Sequence, residues 1–132
     1  MILVDTSVWI SLLQHKTRTW LDADRMLNFI TCGPIIQELL QGLREGPASS
    51  VLRRGILAIP RISDPVSLTT FVEAAEIYRR GRQKGYTIRS STDCLIAAIA
   101  IQNNVPVWHR DRDYSAIARF TSLRAYTGTT SR

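Results

Sequence analysis

The sequence predicts an α/β sandwich built around a mostly parallel sheet. Two observations carry that expectation. Short apolar runs without polar alternation, such as Met1-Ile2-Leu3-Val4 and Val105-Pro106-Val107-Trp108, read as buried strands. Between them lie stretches whose apolar residues recur at helical spacing, and strands alternating with helices build parallel crossover units.

Taken in order, the first run is a strand that ends at Asp5. Thr6 or Ser7 can cap a helix through Val8, Trp9, Ile10, Ser11, Leu12 and Leu13. Thr17 and Thr19 mark a second helical start, running to about Ile30. Gly33-Pro34 opens a third helix with proline in its first turn. Ile35, Ile36, Leu39, Leu40 and Leu43 form its apolar stripe, and Gly42, Gly46 and Pro47 punctuate its end. Residues 49–54 read as a further short helix, and residues 56–62 as a second strand that Pro60 pushes to an edge.

Phe71, Ala74, Ala75 and Tyr78 fall on one face of a helix that stops before Gly85. Ser90-Ser91-Thr92-Asp93 is a capping cluster. The helix it starts, residues 94–102, is apolar nearly all round and belongs in the interior. A third strand at 105–108, a short helix at 113–118 and a last strand at 123–126 follow. Together these make a single domain over residues 1–126, with a polar tail, 127–132, expected to fray. There is no internal repeat, low-complexity tract or linker.

Composition narrows the function. With 132 residues, 45% apolar and 21% charged, the chain has the balance of one globular domain. Its two cysteines, Cys32 and Cys94, form no CxxC pair and have no histidine nearby, which argues against a zinc site or a disulfide scaffold. The longest stretch without a charged side chain, from Cys94 to His109, has sixteen residues. It includes Gln102, Asn103, Asn104 and Pro106, too short and polar a segment to span a bilayer. The apolar N-terminus lacks a basic flank and is interrupted by Asp5, so the expected location is the cytoplasm. A net charge of +6 points to an anionic partner, of which nucleic acid is the commonest. The plain alternative is a basic surface that only aids solubility.

Of eleven acidic residues, four occupy unusual places. Asp5 ends an apolar strand, Asp111 follows another by three residues, Asp93 starts the buried helix, and Glu38 lies in the first half of the Pro34 helix. In a parallel α/β sheet, strand C-termini and the following helix N-termini share one edge, where ligand sites lie. The four acids can therefore converge. Several carboxylates at close range repel one another, and a hard divalent cation relieves that conflict. Oxygen-only ligands favour Mg²⁺, with Mn²⁺ as a substitute, over zinc. Such an ion activates water and neutralises charge on a phosphate. Each acid also has an ordinary reading: Asp93 as an N-cap, Asp111 as a cap or turn residue with Asp113, Glu38 as a solvated helix residue. Asp5, after four apolar residues, is the hardest to explain without a partner.

The segments ILVDTSVWI, PIIQELLQG, STDCLIAAIA and PVWHRDRDY, in this order and spacing, resemble the motifs of PIN-domain nucleases, and among them VapC-type toxins of toxin–antitoxin pairs. The resemblance runs from Met1 to about Tyr126. It implies a PIN-like α/β/α sandwich with a mostly parallel central sheet. It also implies a metal-dependent endoribonuclease that cuts RNA with a metal-activated water, forms a homodimer and is inhibited by a VapB-type antitoxin. Carried over by position, Asp5, Glu38, Asp93 and Asp111 match the family's metal-binding and catalytic acids. Thr6 or Ser7 matches the hydroxyl position after the first acid, and Asp113 ranks as an extra acid below the four. His109 departs from the pattern, standing where many relatives carry threonine.

Other residues have two readings each. Arg79, Arg80, Arg82, Lys84 and Arg89 suit either RNA phosphates or a solvated helix end. Arg110 and Arg112 flank Asp111 and suit either substrate or pairing with Asp113. Trp9, Trp20 and Trp108 read as core or interface. Trp9, Leu12, Leu13, Trp20 and Leu21 form an apolar set that either receives an antitoxin helix or belongs to the chain's own core or dimer contact. Two rival functions fit the sequence less well. A haloacid-dehalogenase-like phosphatase wants a second acid two residues after the first, which Asp5-Thr6-Ser7 lacks. A catalytically inactive PIN-like RNA-binding or scaffold module has no need of the four acids.

Overall fold

The computed structural model describes residues 1–14 and 26–127. Thr17, Thr19, Trp20 and Leu21 lie outside the described residues, as does the tail beyond Thr127. Three parallel strands make the sheet in the order β2-β1-β3: β1 is Ile2–Val4, β2 is Phe29–Ile30 and β3 is Val107–Trp108. Leu3 pairs with Ile30 on one side and Val107 on the other, so β1 is the centre. The described helices are α1 (Thr6–Gln14), α2 (Gly33–Gln41), α3 (Pro47–Ala58), α4 (Leu68–Gln83), α5 (Ser91–Gln102) and α6 (Arg112–Ile117). The parallel sheet flanked by helices is the α/β/α architecture expected.

Apolar residues on both faces of the strands bury fully: Leu3, Val4 and Val107 have no exposed surface. The interior helix is α5, with Cys94, Ile96, Ala97, Ala98, Ile99 and Ala100 all buried. Its alanines let α4 pack closely along it. Gly81 on α4 serves the same closeness, because a Cβ there would stand 2.4 Å from Ile88 Cδ1 and 3.2 Å from Phe120 Cζ. Proline in the first turn starts α2, and the Ser67 and Ser90 hydroxyls cap α4 and α5. No helix among the described residues is long and apolar enough to cross a membrane.

Three expectations need correction. The second helix was expected to run to Ile30, but Phe29 and Ile30 form β2 and bury against the sheet. Phe29 sits edge-on to Trp9 at 5.7 Å and against Trp108. So short an apolar pair has no periodicity to distinguish strand from helix. Residues 56–62 are not a strand. Helix α3 continues through Ala58, and Pro60 forces Ile59 into extended backbone (φ −67°, ψ 133°), which ends the helix. What remains is one bridge between Thr31 and Arg61, in which Thr31 N–H donates to the Pro60 carbonyl at 2.9 Å. The last strand, expected at 123–126, is likewise reduced to a parallel bridge between Val107 and Ala125.

Candidate metal centre

The parallel sheet sends the C-terminal ends of β1 and β3 to one edge. Asp5 leaves β1 there, its backbone N–H still bonded to the Trp108 carbonyl at 3.0 Å, and its side chain is 4% exposed. One carboxylate oxygen, Oδ2, accepts from the Ser7 amide at 3.0 Å and the Ser7 hydroxyl at 2.6 Å. The other, Oδ1, accepts from the Tyr114 hydroxyl at 2.7 Å. Three donors thus fix the carboxylate. Ser7 Oγ in turn accepts from the Arg110 amide at 3.2 Å, which ties the loop after β3 to the first turn of α1.

Asp111 is the N-cap of α6, its Oδ1 accepting from the Asp113 amide at 2.9 Å. Asp113 is buried and accepts consecutive amides, Arg89 at 3.1 Å and Ser90 at 3.0 Å. Because Ser90 caps α5 through the Asp93 amide, this bond anchors the helix start that carries Asp93. Carboxylate oxygens of Asp93, Asp111 and Asp113 all lie within 4.8 Å of one another. Glu38, half-buried on α2, accepts from the Thr6 hydroxyl at 2.8 Å and lines a neighbouring cavity of about 520 Å³ with Gln37, Gln41, Thr92 and Phe71. The structure therefore draws three acids into one tight group and links Asp5 to it through Tyr114. Glu38 is joined to the Asp5 loop through Thr6.

The electrostatics follow from burial. Asp93 is pushed up to about 8, first by burial and then by repulsion from Asp111, Asp5 and Asp113. Its Oδ2 is buried with no hydrogen-bond partner. An acceptor left bare among like charges is costly for a fold and suits a cation. All the converging ligand atoms are oxygens, so the group can hold a hard divalent ion. Burial also pushes Tyr114 well above its usual value, and repulsion from Asp5 and Asp93 adds to that, so its phenol stays a donor. His109 is held down by burial, against the pull of Asp5 and Asp111. Its Nδ1 accepts the Asp111 amide at 3.4 Å and its ring leans on Tyr114. Burial lifts Cys32 to about 12, so it is an inert thiol.

The basic helix end is largely engaged locally. Arg79 pairs with Glu76, Arg80 donates to the Phe120 carbonyl and covers its ring, and Arg82 donates to the Tyr78 hydroxyl. Arg89 differs, with its Nε 3.9 Å from Asp113 and its side chain more than half exposed. Arg110 turns to the Ser11 hydroxyl at 2.9 Å. The expected apolar groove is partly filled: Trp9 and Leu12 are buried in the core. Sequence reasoning passed over Tyr114. Its position three residues after Asp111 on a helix was the signal, but a buried tyrosine there reads as ordinary core.

A family model for the PIN domain matches residues 2–120. The chain is 36% identical over 132 aligned residues to Ribonuclease VapC11 of Mycobacterium tuberculosis (strain ATCC 25618 / H37Rv), covering 95% of this chain and 97% of that protein. Its fold matches VapBC2 from Rickettsia felis, solved bound to a DNA fragment from its promoter, with a TM-score of 0.75 at 18% identity, covering 96% and 98% of the two chains. It also matches FitAcB from Neisseria gonorrhoeae, with a TM-score of 0.70 at 22% identity, covering 96% and 97%. With acids gathered at the sheet edge and relatives matched along nearly the whole chain, this protein belongs to the PIN-domain family and, within it, to the VapC ribonucleases.

Proposed function

We propose that this chain is the toxin of a VapBC-type pair, a Mg²⁺-dependent endoribonuclease for which Mn²⁺ can substitute, with Asp5, Glu38, Asp93 and Asp111 as its metal-site and catalytic acids. The observation that carries the reading is the bare, buried Oδ2 of Asp93 inside an all-oxygen group, in a chain 36% identical to VapC11. A divalent ion at this edge would supply charge neutralisation on the phosphate and a more acidic water.

The chain's own residues supply the rest. Ser7 and Tyr114 hold Asp5 in one orientation, the Asp113 amide holds Asp111, and Thr6 holds Glu38. Asp113 stands in the same group of acids as Asp93 and Asp111, where it would help hold the ion, and it also fixes the start of α5. Arg89 and Arg112, exposed beside the acids, suit the phosphates of an RNA strand. A VapB-type antitoxin completes the proposal, supported by the VapBC complexes among the structures matched; a homodimer and a cytoplasmic setting are proposed with it from the sequence. The rival of a catalytically inactive module finds no support in a chain that gathers buried acids at this edge.

The test is RNA cleavage by the purified chain with Mg²⁺, with chelator, and with Asp5→Asn. Cleavage that needs the metal and falls at least 100-fold in the variant is expected. Equal cleavage by wild type and variant under matched Mg²⁺ would remove Asp5 from the site.

A further inference from the structure

Tyr114 touches the site from within the core. It lies on α6, one position after Asp113, and has no exposed surface. Its hydroxyl crosses 109 positions of sequence to reach Asp5 Oδ1 at 2.7 Å. A phenol has a single proton to donate. Here that proton goes to Asp5; the same hydroxyl lies close enough to Asp93 to act on it as well, yet Asp93 Oδ2 is buried with no hydrogen-bond partner. The two acids are thus treated differently. Asp5 has both oxygens engaged and one fixed orientation, whereas Asp93 keeps a free lone pair.

From this asymmetry we infer that Tyr114 is a positioning residue for the metal site: its hydroxyl fixes the Asp5 carboxylate and leaves Asp93 Oδ2 open to the ion. The inference rests on the metal-dependent reading above and gives a role to a residue that is not one of the acids. Substrate does not reach Tyr114, so it acts through Asp5. The physical logic is that of partners behind metal ligands, whose removal commonly weakens metal binding about 10- to 100-fold. Tyr114→Phe is the clean probe, because it keeps the ring that fills the core and deletes only the donor.

Mn²⁺ binding to wild-type and Tyr114→Phe chains would be measured by calorimetry without RNA, alongside thermal unfolding and RNA cleavage at rising Mn²⁺. The expected result is Mn²⁺ binding weakened about 10-fold, with cleavage recovering at high Mn²⁺ and KM for RNA unchanged. A purely structural tyrosine would lower the melting temperature and leave Mn²⁺ binding as it was, and that result overturns the inference. If wild type itself binds no Mn²⁺, the metal reading fails and takes this inference with it.

Should Tyr114→Phe not fold, wild type labelled with 3-fluorotyrosine gives a second reading. The chain has four tyrosines, and the other three, Tyr78, Tyr86 and Tyr126, can each be changed to phenylalanine to assign the signals. The Tyr114 fluorine resonance is expected to move as Mg²⁺ is added. A resonance that stays fixed through saturation overturns the inference.

Discussion

The backbone amide of Arg110 donates to the hydroxyl of Ser7, 103 positions away in sequence, across 3.2 Å. The same hydroxyl donates to Asp5. One small side chain therefore joins the loop after β3, which leads to Asp111, to the strand end that carries Asp5.

Ser7→Ala should break that junction on both sides. The Asp5 amide-side contact from residue 7 survives, so the acid is loosened rather than freed. We expect a loss of about 1–2 kcal/mol in stability from the unsatisfied groups, and RNA cleavage reduced about 10-fold at limiting Mg²⁺. Urea denaturation and cleavage rates on the same preparation check both. Unchanged cleavage would show that the junction is dispensable.

Asp93 should make the metal-free protein sensitive to pH. In the unfolded chain an aspartate titrates near 3.9, but folded Asp93 titrates at about 8. Between these values the folded state keeps a proton that the unfolded chain has shed. This contribution is whole below about pH 4 and is lost as pH rises through about 8. Chemical denaturation with chelator should show stability falling between pH 5 and pH 8 by on the order of a few kcal/mol. Asp93→Asn should flatten that slope, and a variant with the wild-type slope would locate the proton elsewhere.

Two glycines should respond to alanine in opposite directions. Gly55 is exposed within α3, and a Cβ there meets nothing within 4 Å. Gly55→Ala should stabilise the chain by about 0.5–1 kcal/mol. Gly81→Ala drives a methyl into buried Ile88 and should destabilise by about 1–3 kcal/mol. Melting temperatures of the two variants decide the matter, and equal shifts would contradict the packing described for α4.

RNA binding should weaken steeply with salt. The chain has seventeen Lys and Arg against eleven acids, four of which are proposed to face the metal. Counterion release then dominates affinity. Binding of a short RNA to Asp5→Asn, measured across a salt titration without cleavage, is expected to fall with a clear log–log slope. A flat titration would sink electrostatic capture.

The candidate site was legible where chemistry breaks a pattern. An acid after four apolar residues, a Ser-Ser-Thr-Asp run before an apolar helix, and acids just past a second strand all stand out against their surroundings, and their common edge follows from parallel topology. Secondary structure was less legible where the pattern is short. Phe29-Ile30 and residues 56–62 are apolar runs of ambiguous period, settled by packing on Trp9 and Trp108 and by the geometry that Pro60 imposes on Ile59. Tyr114 was hard to read for another reason: its place after Asp111 on a helix looks like ordinary core, and its hydrogen bond reaches a residue 109 positions away in sequence.

Asp113 spends its carboxylate on two consecutive amides just ahead of α5 while standing in the acid group. Substituting it removes a charge and also unfastens the helix start on which Asp93 rides, so inactivity of an Asp113→Ala chain would not identify a ligand. Glu38 is different, half-buried on the middle of α2 and held by one hydroxyl. A harmless but well-folded form of this protein, needed for work in living cells or for display to an antitoxin, is therefore better sought at Glu38 than at Asp113.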